Sequence, residues 1–431
     1  MEEKKLYGRL QTWPKNQTIP PAAQVLPVRE KGRCFRCQGR SRAPLPNGHS
    51  YCLDCLMIGR VSSLDCLLTI AEPNDFSSGS KLRWQGKLTR EQQRVSDQLL
   101  KHAQAGRNQL LWAVTGAGKT EMLYPLVDWA LSQRQRVAII APRVDVVLEL
   151  APRIQAAFDV SLQVLYGDQE APYDYSQLVV ATAHQLFRFY KAFDLVIIDE
   201  VDAFPFRGNQ SLQKAVARAA KVDGCFLYLT ATPDRLLQRQ VKAGKIDMVN
   251  LPKRFHGGKI PGLTVVYSAA WPDRFPKKVL ESLKRWLKDG KPFFIFVPTV
   301  ADLARVWQQL EKVLPTTVKG ATVHANDPKC VDKVQAMRAG DYDFLLTTTI
   351  LERGVTLANL QVLILGADDP TFTTETLVQM AGRVGRDRKY REGEVLALAK
   401  GPSRSIRRAE KMIRHLNQLA EEDEDADLFA L

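Results

Sequence analysis

The stretch Ala113–Thr120 reads Ala-Val-Thr-Gly-Ala-Gly-Lys-Thr. It departs from the phosphate-binding pattern G-x-x-x-x-G-K-[ST] only at its first position, where alanine replaces glycine. Gly116 and Gly118 let backbone N–H groups close around phosphate oxygens. Lys119 can reach the outer phosphates, and the Thr120 hydroxyl can bind Mg²⁺. The flanking apolar and helical patterns predict a strand, a loop and a helix that bind a nucleoside triphosphate.

A pair of acidic residues follows in Val196–Asp202, which reads Val-Ile-Ile-Asp-Glu-Val-Asp. Asp199 comes at the end of a predicted buried strand, where it can hold Mg²⁺ through water. Glu200 can orient or deprotonate the attacking water. Because neighbouring residues of an extended strand point to opposite sides, the two carboxylates can have different roles. The pair predicts hydrolysis of the triphosphate, with catalytic roles for Lys119 and Glu200.

Short runs rich in Val, Ile and Leu alternate with helical stretches along most of the chain. The first series is Leu110–Val114, Val137–Ala141, Leu178–Thr182, Leu195–Asp199 and Phe226–Thr230. The second series is Leu263–Tyr267, Phe293–Val297, Thr322–Val323, Phe344–Thr347 and Val362–Leu365. Apolar strands separated by helices indicate parallel, doubly wound sheets. At 431 residues the chain is long enough for two such α/β lobes in tandem.

Shifts in composition predict the other boundaries. Prolines and few periodic apolar positions precede residue 32, a polar segment precedes the first lobe, and acidic residues crowd the region after Glu421. We predict an extended arm over 1–31, a four-cysteine zinc module over 32–70, a linker over 71–87, an ATP-binding lobe over 88–256, a second lobe over 257–400, and a basic helix with an acidic tail over 401–431.

Two Cys-x-x-Cys pairs, Cys34-Phe35-Arg36-Cys37 and Cys52-Leu53-Asp54-Cys55, are separated by fourteen residues. Four thiolates from two turns can form a closed tetrahedral Zn²⁺ site, which is structural because no ligand position is left open. Asn47-Gly48 between the pairs suits a hairpin turn, as in a zinc ribbon. A disulfide is the alternative, and a reducing compartment disfavours it. His49 could replace one cysteine, although we expect an exposed turn histidine.

The chain carries 61 Lys and Arg against 47 Asp and Glu, and this charge of +14 favours polyanions such as nucleic acid or an anionic membrane surface. Residues 1–60 contain eleven basic and four acidic residues, so the zinc module is a candidate contact with DNA or a partner, or simply a solvated domain. We find no signal peptide and no apolar run of about 20 residues, which indicates a cytoplasmic protein, at most peripheral to a membrane.

The segment Gln379–Arg386 reads Gln-Met-Ala-Gly-Arg-Val-Gly-Arg near the end of the second lobe. Arg383 and Arg386 are three positions apart, so both can reach a γ-phosphate that the first lobe holds. Arginine fingers of this kind neutralise charge that develops during transfer, which would couple lobe closure to hydrolysis. We assign catalytic roles to both residues; the alternative is a pair of surface arginines near a turn.

Three further segments resemble motifs of the superfamily 2 helicases and translocases. Leu88–Gln92 resembles the adenine-sensing segment, Leu229–Pro233 the motif that links ATP to nucleic acid, and Thr348–Thr356 the second-lobe motif that touches both. The resemblance implies that both lobes are RecA-like. The residues implied for ATP and Mg²⁺ are Gln92, Thr115, Gly116, Ala117, Gly118, Lys119, Thr120, Asp199, Glu200 and Gly354. Those implied for coupling are Thr230, Ala231, Thr232 and Gln379.

The acidic box Asp-Glu-Val-Asp and the Gln-x-x-Gly-Arg-x-Gly-Arg form are closer to DNA helicases such as PriA and RecG than to DEAD-box RNA helicases. By position, the resemblance implies contacts with the sugar-phosphate backbone of single-stranded DNA at Pro142, Arg143, Thr182, Thr299 and Thr348. Contacts with the DNA backbone carry no sequence information, so we expect no base specificity.

A four-cysteine module that precedes the motor, rather than interrupting its second lobe, distinguishes the chain from PriA. It resembles the ComFA family of late-competence helicase-like ATPases over Cys34 to Asp387. The resemblance implies an ATP-driven translocase that takes transforming single-stranded DNA into the cytosol, with ATP, Mg²⁺ and Zn²⁺ as cofactors. Implied partners are the membrane DNA-uptake channel and a small phosphoribosyltransferase-like competence protein, and a homo-oligomer stays open. The implied location is cytoplasmic, peripheral at the inner face of the cell membrane.

Two rival functions stay open. One is a replication-restart or repair DNA helicase of PriA or RecG type, which would unwind duplex forks. The other is a DNA-binding scaffold in which nucleotide acts only as a switch and the zinc module does the binding. The aromatic residues Phe187, Phe189, Tyr190 and Phe193 could stack on bases, but their spacing favours a place in the core.

Overall fold

The apolar runs assigned to strands form two separate sheets in the computed structural model of the chain. The structure describes residues 3–167, 172–255, 257–325, 327–352, 357–387 and 389–428. The chain divides into two units, Met1–Trp112 with Lys119–Asn250, and Ala113–Gly118 with Leu251–Leu431. Each unit is built on one large sheet. The prediction of two RecA-like parallel-sheet lobes with an N-terminal four-cysteine module is confirmed.

The N-terminal module consists of short strands. They are β1 (Gln11–Pro14), β2 (Gln24–Leu26), β3 (Arg29–Glu30), β4 (Arg33–Cys34), β5 (Arg42–Pro44), β6 (Ser50–Cys52) and β7 (Asp65–Thr69), with 3-10 helices at Glu3–Leu6, Pro46–Gly48 and Leu53–Ile58. β1 and β2 both pair antiparallel with β7. β5 and β6 form the hairpin predicted around Asn47-Gly48.

The prediction of an extended arm over 1–31 is wrong. Its strands complete the sheet of the module, and its apolar side chains Leu6, Leu10 and Leu26 are buried. The prolines that suggested an irregular arm lie in and around these short strands. Burial of the apolar positions therefore outweighs the absence of a regular sequence period.

The first lobe is a seven-stranded sheet. Its strands are β8 (Gln109–Ala113), β9 (Val137–Ala141), β10 (Leu162–Leu165), β11 (Leu178–Thr182), β12 (Phe193–Ile198), β13 (Ala220–Thr230) and β14 (Asp247–Leu251). Its helices are α1 (Arg90–Gln104), α2 (Lys119–Met122), α3 (Tyr124–Ser132), α4 (Val144–Ala157), α5 (Gln210–Ala219) and α6 (Arg235–Lys242), with a 3-10 helix at Ala183–Arg188. The strand order is β10-β11-β9-β12-β13-β8-β14, parallel from β10 to β8. The carboxyl ends of these strands meet at one edge, where open α/β sheets bind ligands.

The second lobe is a six-stranded parallel sheet. Its strands are β15 (Leu263–Tyr267), β16 (Phe293–Phe296), β17 (Gly320–Val323), β18 (Phe344–Thr347), β19 (Gln361–Leu365) and β20 (Val395–Ala399). Its helices are α7 (Lys277–Lys288), α8 (Val300–Val313), α9 (Cys330–Ala339), α10 (Thr374–Ala381) and α11 (Arg404–Leu428), with a 3-10 helix at Thr349–Glu352. The order is β15-β20-β19-β16-β18-β17.

Both sheets have cores of the kind that parallel strands require. All five residues of β9 and of β11 are buried, as expected when helices cover both faces. Phe187, Phe189 and Phe193 are buried in the same core, and Tyr190 packs against it. The preference for a core role of this aromatic group is confirmed, so these rings do not offer a stacking surface for bases.

The segment predicted as a linker is attached to the first lobe, and the block predicted as an acidic tail is helical. Residues 71–87 are irregular, and the Asp128 carboxylate on α3 accepts hydrogen bonds from the backbone N–H groups of Lys81 and Leu82 at 2.6 and 3.0 Å. The acidic block, predicted as a tail, instead continues α11 as helix to Leu428. Asn417 on that helix exchanges two hydrogen bonds with the backbone of Ile260. Among the described helices, none is long and apolar enough to cross a membrane.

Candidate nucleotide, nucleic-acid and zinc sites

The phosphate loop has the backbone that its glycines predict. Strand β8 ends at Ala113 and helix α2 begins at Lys119, so the expected strand, loop and helix are present. Gly116 and Gly118 have φ angles of +82° and +72°, in the left-handed region that favours glycine. Thr115, just before Gly116, and Ala117, between the two glycines, are buried. A loop of this shape turns successive N–H groups toward one point, which suits an anion.

The acid pair lies beside the lysine of the loop. Lys119 Nζ is 3.9 Å from Asp199 Oδ1. Thr120, which follows Lys119 in the sequence, is buried. Asp199 follows β12, and its N–H donates to the carbonyl of Ile140 in β9 at 2.8 Å. The structure thus brings Lys119, Thr120 and Asp199 to the same sheet edge. An ammonium, a hydroxyl and a carboxylate in this arrangement can hold phosphate oxygens and a hydrated Mg²⁺.

Glu200 has a strained backbone. Its φ of +50° lies in the left-handed region, which residues with a Cβ adopt at a cost. Its N–H donates to Asp199 Oδ1 at 2.9 Å, so the two acidic residues are held together by a local hydrogen bond. Strain of this kind accumulates at functional sites, where the surrounding structure maintains it. The conformation supports separate roles for the two carboxylates.

Asp202 is a functional candidate to which the sequence assigned no role. Its carboxylate, 6% exposed, accepts hydrogen bonds from the hydroxyl groups of Thr230 at 2.6 Å and Thr232 at 2.7 Å. Thr230 Oγ1 also accepts from the N–H of Thr232 at 2.9 Å. Of the predicted coupling residues, Thr230 ends β13 and Ala231 and Thr232 follow it, so these hydrogen bonds join them to the acidic box through Asp202. The signal for Asp202 was its place as the last residue of Asp-Glu-Val-Asp.

Gln92, predicted to read the adenine base, also caps a helix. Its Oε1 accepts from the N–H of Thr89 at 3.0 Å, while its own N–H donates to Thr89 Oγ1 at 3.3 Å. This reciprocal pair is a capping box at the start of α1. Gln92 is only 3% exposed, so its carboxamide is anchored by the helix end. Recognition of a base by this residue stays a prediction.

The arginine motif lies in the second unit and is more buried than a surface turn would be. Arg383 is 2% exposed, and its Nε donates to the carbonyl of Glu352 at 2.7 Å. Arg386 Nε donates to the carbonyl of Gly382 at 2.9 Å, and Gln379 is buried on α10. The alternative of two surface arginines is therefore wrong for Arg383. Gly354, predicted as a nucleotide contact, lies outside the described residues.

The predicted DNA contacts lie at the carboxyl ends of strands in both units. In the first unit, Pro142 and Arg143 follow β9 and Thr182 ends β11. Arg143 is held by two hydrogen bonds to the carboxylate of Asp145, at 3.0 and 2.9 Å. In the second unit, Thr299 caps α8 and Thr348 follows β18. Each set shares the ligand-binding edge of its own sheet.

The four cysteines form one buried cluster. Their Sγ atoms all lie within 4.8 Å of one another, with 3.7 Å between Cys34 and Cys55 and 3.4 Å between Cys37 and Cys52. A tetrahedral Zn²⁺ with sulfur ligands at about 2.3 Å requires sulfur separations of about 3.8 Å, so this set of donors fits the ion. All seven cysteines of the chain are free, which argues against a disulfide. His49 is not part of the cluster, and its Nδ1 lies 3.1 Å from Ser63 Oγ.

Arginines surround this cluster and fasten it to the first lobe. Arg36 Nε donates to Cys55 Sγ at 3.4 Å. Arg218, at the end of α5, donates to the carbonyls of Phe35 and Arg36, and Arg188 donates to the carbonyl of Ile58 at 3.2 Å. Burial lowers the pKa of Arg218 to about 10, so the group is still a cation at neutral pH. Four thiolates around Zn²⁺ would leave a net negative charge that these cations can balance.

The zinc module lies at the amino edge of the first sheet. Leu10 N–H donates to the carbonyl of Arg188 and Tyr190 N–H donates to the carbonyl of Gly8, both just before β12. Arg218 lies in the last turn of α5, two residues before β13. Asp199, Thr182 and Pro142 lie at the opposite edge. Because β12 has six residues at about 3.3 Å each, the two edges are roughly 20 Å apart.

Comparison with known families identifies two helicase-type regions. The family "Type III restriction enzyme, res subunit" matches residues 85–235, and "Helicase conserved C-terminal domain" matches residues 277–388. The first region contains the phosphate loop and the acid pair, and the second contains the arginine motif. The matches agree with the two lobes of the structure.

Curated relatives match nearly the whole chain. Competence protein ComFA of Bacillus subtilis (strain 168) is 40% identical over 426 residues, which cover 96% of this chain and 91% of the relative. Competence protein ComFA of Streptococcus pneumoniae is 36% identical over 413 residues, which cover 92% and 94%. Among solved structures, Mycobacterium smegmatis helicase Lhr bound to ssDNA and AMP-PNP superposes with a TM-score of 0.56 and 14% identity, over 78% of this chain and 50% of that one. The superposition shows a shared fold.

Proposed function

We propose, from the premise that this chain belongs to the ComFA family of helicase-like ATPases, that it is an ATP-driven translocase of single-stranded DNA. The prediction of an ATP-hydrolysing helicase-like enzyme is confirmed by the ComFA relatives and the two helicase-type matches. The observation that carries the finer proposal is that Asp202, the last residue of the acidic box that begins with Asp199, accepts hydrogen bonds from Thr230 and Thr232. These hydrogen bonds link the acidic box to a segment that can respond to a nucleic-acid strand.

Each side chain of the nucleotide site has a role in this proposal. The N–H groups of residues 115–120 and Lys119 would hold the phosphates, while Thr120 and Asp199 would hold Mg²⁺. Glu200 orients the attacking water and accepts its proton. Arg383 and Arg386 neutralise the charge that develops on the γ-phosphate. When bound, Mg²⁺ would neutralise part of the negative charge of the phosphates.

The DNA strand is proposed to follow the carboxyl edges of the sheets. Arg143, Thr182, Thr299 and Thr348 can all donate hydrogen bonds to phosphate oxygens. In this scheme ATP binding closes the lobes on the strand, and hydrolysis lets them reopen one step further along. The net charge of +14 adds a salt-dependent attraction for the polyanion.

We assign the zinc module to contact with a protein partner rather than with the translocated strand. It lies at the edge opposite Thr182 and Asp199, and its exposed residues include Leu53, Leu56, Arg40 and Arg42. Apolar residues within a basic surface favour a protein interface. The partners proposed are the membrane DNA-uptake channel and a phosphoribosyltransferase-like competence protein. This role would place the enzyme at the inner face of the cell membrane during uptake of transforming DNA.

The test is the rate of ATP hydrolysis with no nucleic acid, single-stranded DNA, duplex DNA and RNA at one stated salt concentration. We expect stimulation by single-stranded DNA alone. Stimulation by forked duplex with strand separation would instead indicate a restart or repair helicase. Tight binding of ATP and DNA with almost no turnover would indicate a nucleotide-switched scaffold.

Two variants show whether the assigned residues carry the activity. Lys119→Ala should abolish hydrolysis and leave zinc content unchanged, because the zinc cluster lies at the other edge of the sheet. Arg143→Met should weaken binding of single-stranded DNA and lower the dependence of log Kd on log salt by about one. Lys214→Met, which removes an exposed cation on α5, is the matched control. It should leave the affinity for single-stranded DNA and its salt dependence unchanged.

A further inference from the structure

Arg254, which follows β14 in the second unit, is buried against the arginine motif. It is 3% exposed. Its Nη1 donates to the carbonyls of Val384 at 2.7 Å and Gly385 at 2.9 Å, and its Nη2 donates to the carbonyl of Gly382 at 3.0 Å. These carbonyls belong to the turn that follows the end of α10. A single guanidinium therefore caps the turn that separates α10 from Arg386.

The carbonyl of Gly382 connects Arg254 to Arg386. It accepts from Arg254 Nη2 at 3.0 Å and from Arg386 Nε at 2.9 Å, and Thr115 Oγ1 lies at 3.5 Å. Both arginines are thus oriented by the same oxygen atom. If Arg254 were removed, the carbonyls of Gly382, Val384 and Gly385 would each lose one donor, and the turn that anchors Arg386 would be less firmly held.

The turn is tightly packed at two of its glycines. A Cβ added to Gly382 would lie 2.1 Å from Thr115 Oγ1, and one added to Gly385 would lie 2.3 Å from the carbonyl oxygen of Arg391. The N–H of Phe255, next to Arg254, donates to the carbonyl of Gly116 in the phosphate loop at 3.0 Å. Residues 254 and 255 together therefore contact both the phosphate loop and the arginine turn.

Burial of this cation is costly, which argues that its position matters. Among the described residues no carboxylate pairs with Arg254, and burial lowers its pKa to about 10. Hydrogen bonds to three backbone carbonyls offset the cost of burying the cation less than an ion pair would. A core residue selected only for stability would not need a charge here.

We propose that Arg254 is a positioning residue for ATP hydrolysis, which holds the Gly382–Arg386 turn so that Arg386 is presented to the nucleotide. The inference rests on the proposed function, since it requires that Arg386 act on the γ-phosphate. Arg254 itself does not touch the nucleotide in this account. Its loss should therefore lower kcat and leave the KM for ATP nearly unchanged.

The experiment compares Arg254→Met, Arg254→Lys, Arg386→Met and the double variant Arg254→Met/Arg386→Met in the full chain. We expect Arg254→Met to lower kcat by roughly 10- to 100-fold, because a misplacement of about 1 Å can have that effect. Arg254→Lys keeps one donor group and should recover part of the rate. The double variant should be no slower than Arg386→Met alone, because both changes remove the same interaction. Arg274→Met, at an exposed position of the same unit, should have the wild-type rate.

Several outcomes would overturn the proposal. Losses of Arg254→Met and Arg386→Met that multiply in the double variant would show that the residues act independently. A raised KM for ATP with unchanged kcat would show that Arg254 binds ATP directly. If the Met and Lys variants lost the same amount of ATPase rate and had equally lowered thermal midpoints, Arg254 would have a role in folding alone. The ATPase rate of the wild-type protein is measured first, because absence of hydrolysis in it would overturn the proposed function. If the wild-type protein hydrolyses ATP and Arg254→Met does so equally fast, only the role of Arg254 is overturned.

Discussion

Glu72 and Arg136 form an ion pair with 2.6 Å between Oε2 and Nη1, and neither side chain is exposed. Arg136 also donates to the carbonyls of Ser176 at 3.0 Å and Tyr7 at 3.1 Å, and the Tyr175 hydroxyl donates to Glu72. Tyr7 belongs to the N-terminal module, and Glu72 belongs to the segment after it. The pair therefore joins the module, the connecting segment and the first sheet at one buried point.

Glu72→Gln should lower the free energy of unfolding of the first unit by about 3–5 kcal/mol, because it leaves the Arg136 cation buried without its counter-charge. Denaturant titration of the full chain measures the change. The control is Asp75→Asn, whose exposed pair with Lys4 should contribute little. Equal effects of the two substitutions would show that burial of the Glu72 pair has no energetic consequence.

Glu200→Gln should bind ATP with nearly normal affinity and hydrolyse it about 10²- to 10⁴-fold more slowly, because the amide cannot accept the proton of the attacking water. Binding is measured by equilibrium titration and turnover by phosphate release. Lys119→Ala is the informative comparison, since it should lose binding as well. A Glu200→Gln variant with a wild-type rate would contradict the assigned base.

Asp202→Asn should keep basal ATP hydrolysis and lose most of its stimulation by single-stranded DNA. The carboxylate accepts from Thr230 and Thr232 through different oxygens, and an amide can accept through only one of them. The ratio of stimulated to basal rates is the measurement. Thr232→Ser retains the hydroxyl and should retain the ratio, whereas an unchanged ratio in Asp202→Asn would exclude a coupling role.

Cys34→Ser should abolish stoichiometric zinc binding, because hydroxyl oxygen is a poor ligand in a four-thiolate site. Elemental analysis of the purified chain gives zinc per protein, and limited proteolysis reports whether the module stays attached to the lobe. Cys225→Ser, outside the cluster, should keep the metal. Unchanged zinc in Cys34→Ser would remove the zinc assignment, whatever the ATPase rate.

Strand prediction succeeded where apolar residues run without interruption. Val137–Ala141 and Leu178–Thr182 are strands with the expected ends, because both faces of a parallel strand are buried and leave an unbroken apolar pattern. Leu162–Leu165 alternates between buried and half-buried positions, and Asp247–Leu251 contains polar residues, since both lie at the edges of their sheet. Neither was predicted, and Val395–Ala399 was also missed despite its apolar run.

The sequence alone determined the chemistry that depends on neighbouring residues. The glycines of the phosphate loop, the adjacent acids Asp199 and Glu200, and the two Cys-x-x-Cys pairs each act within a few positions, where backbone geometry follows directly from residue type. Tertiary structure alone decided the pairing of Glu72 with Arg136, of Asp202 with Thr230 and of Arg254 with Gly382. These partners are far apart in sequence, and no local pattern specifies which buried charge will meet which acceptor once the sheets have packed.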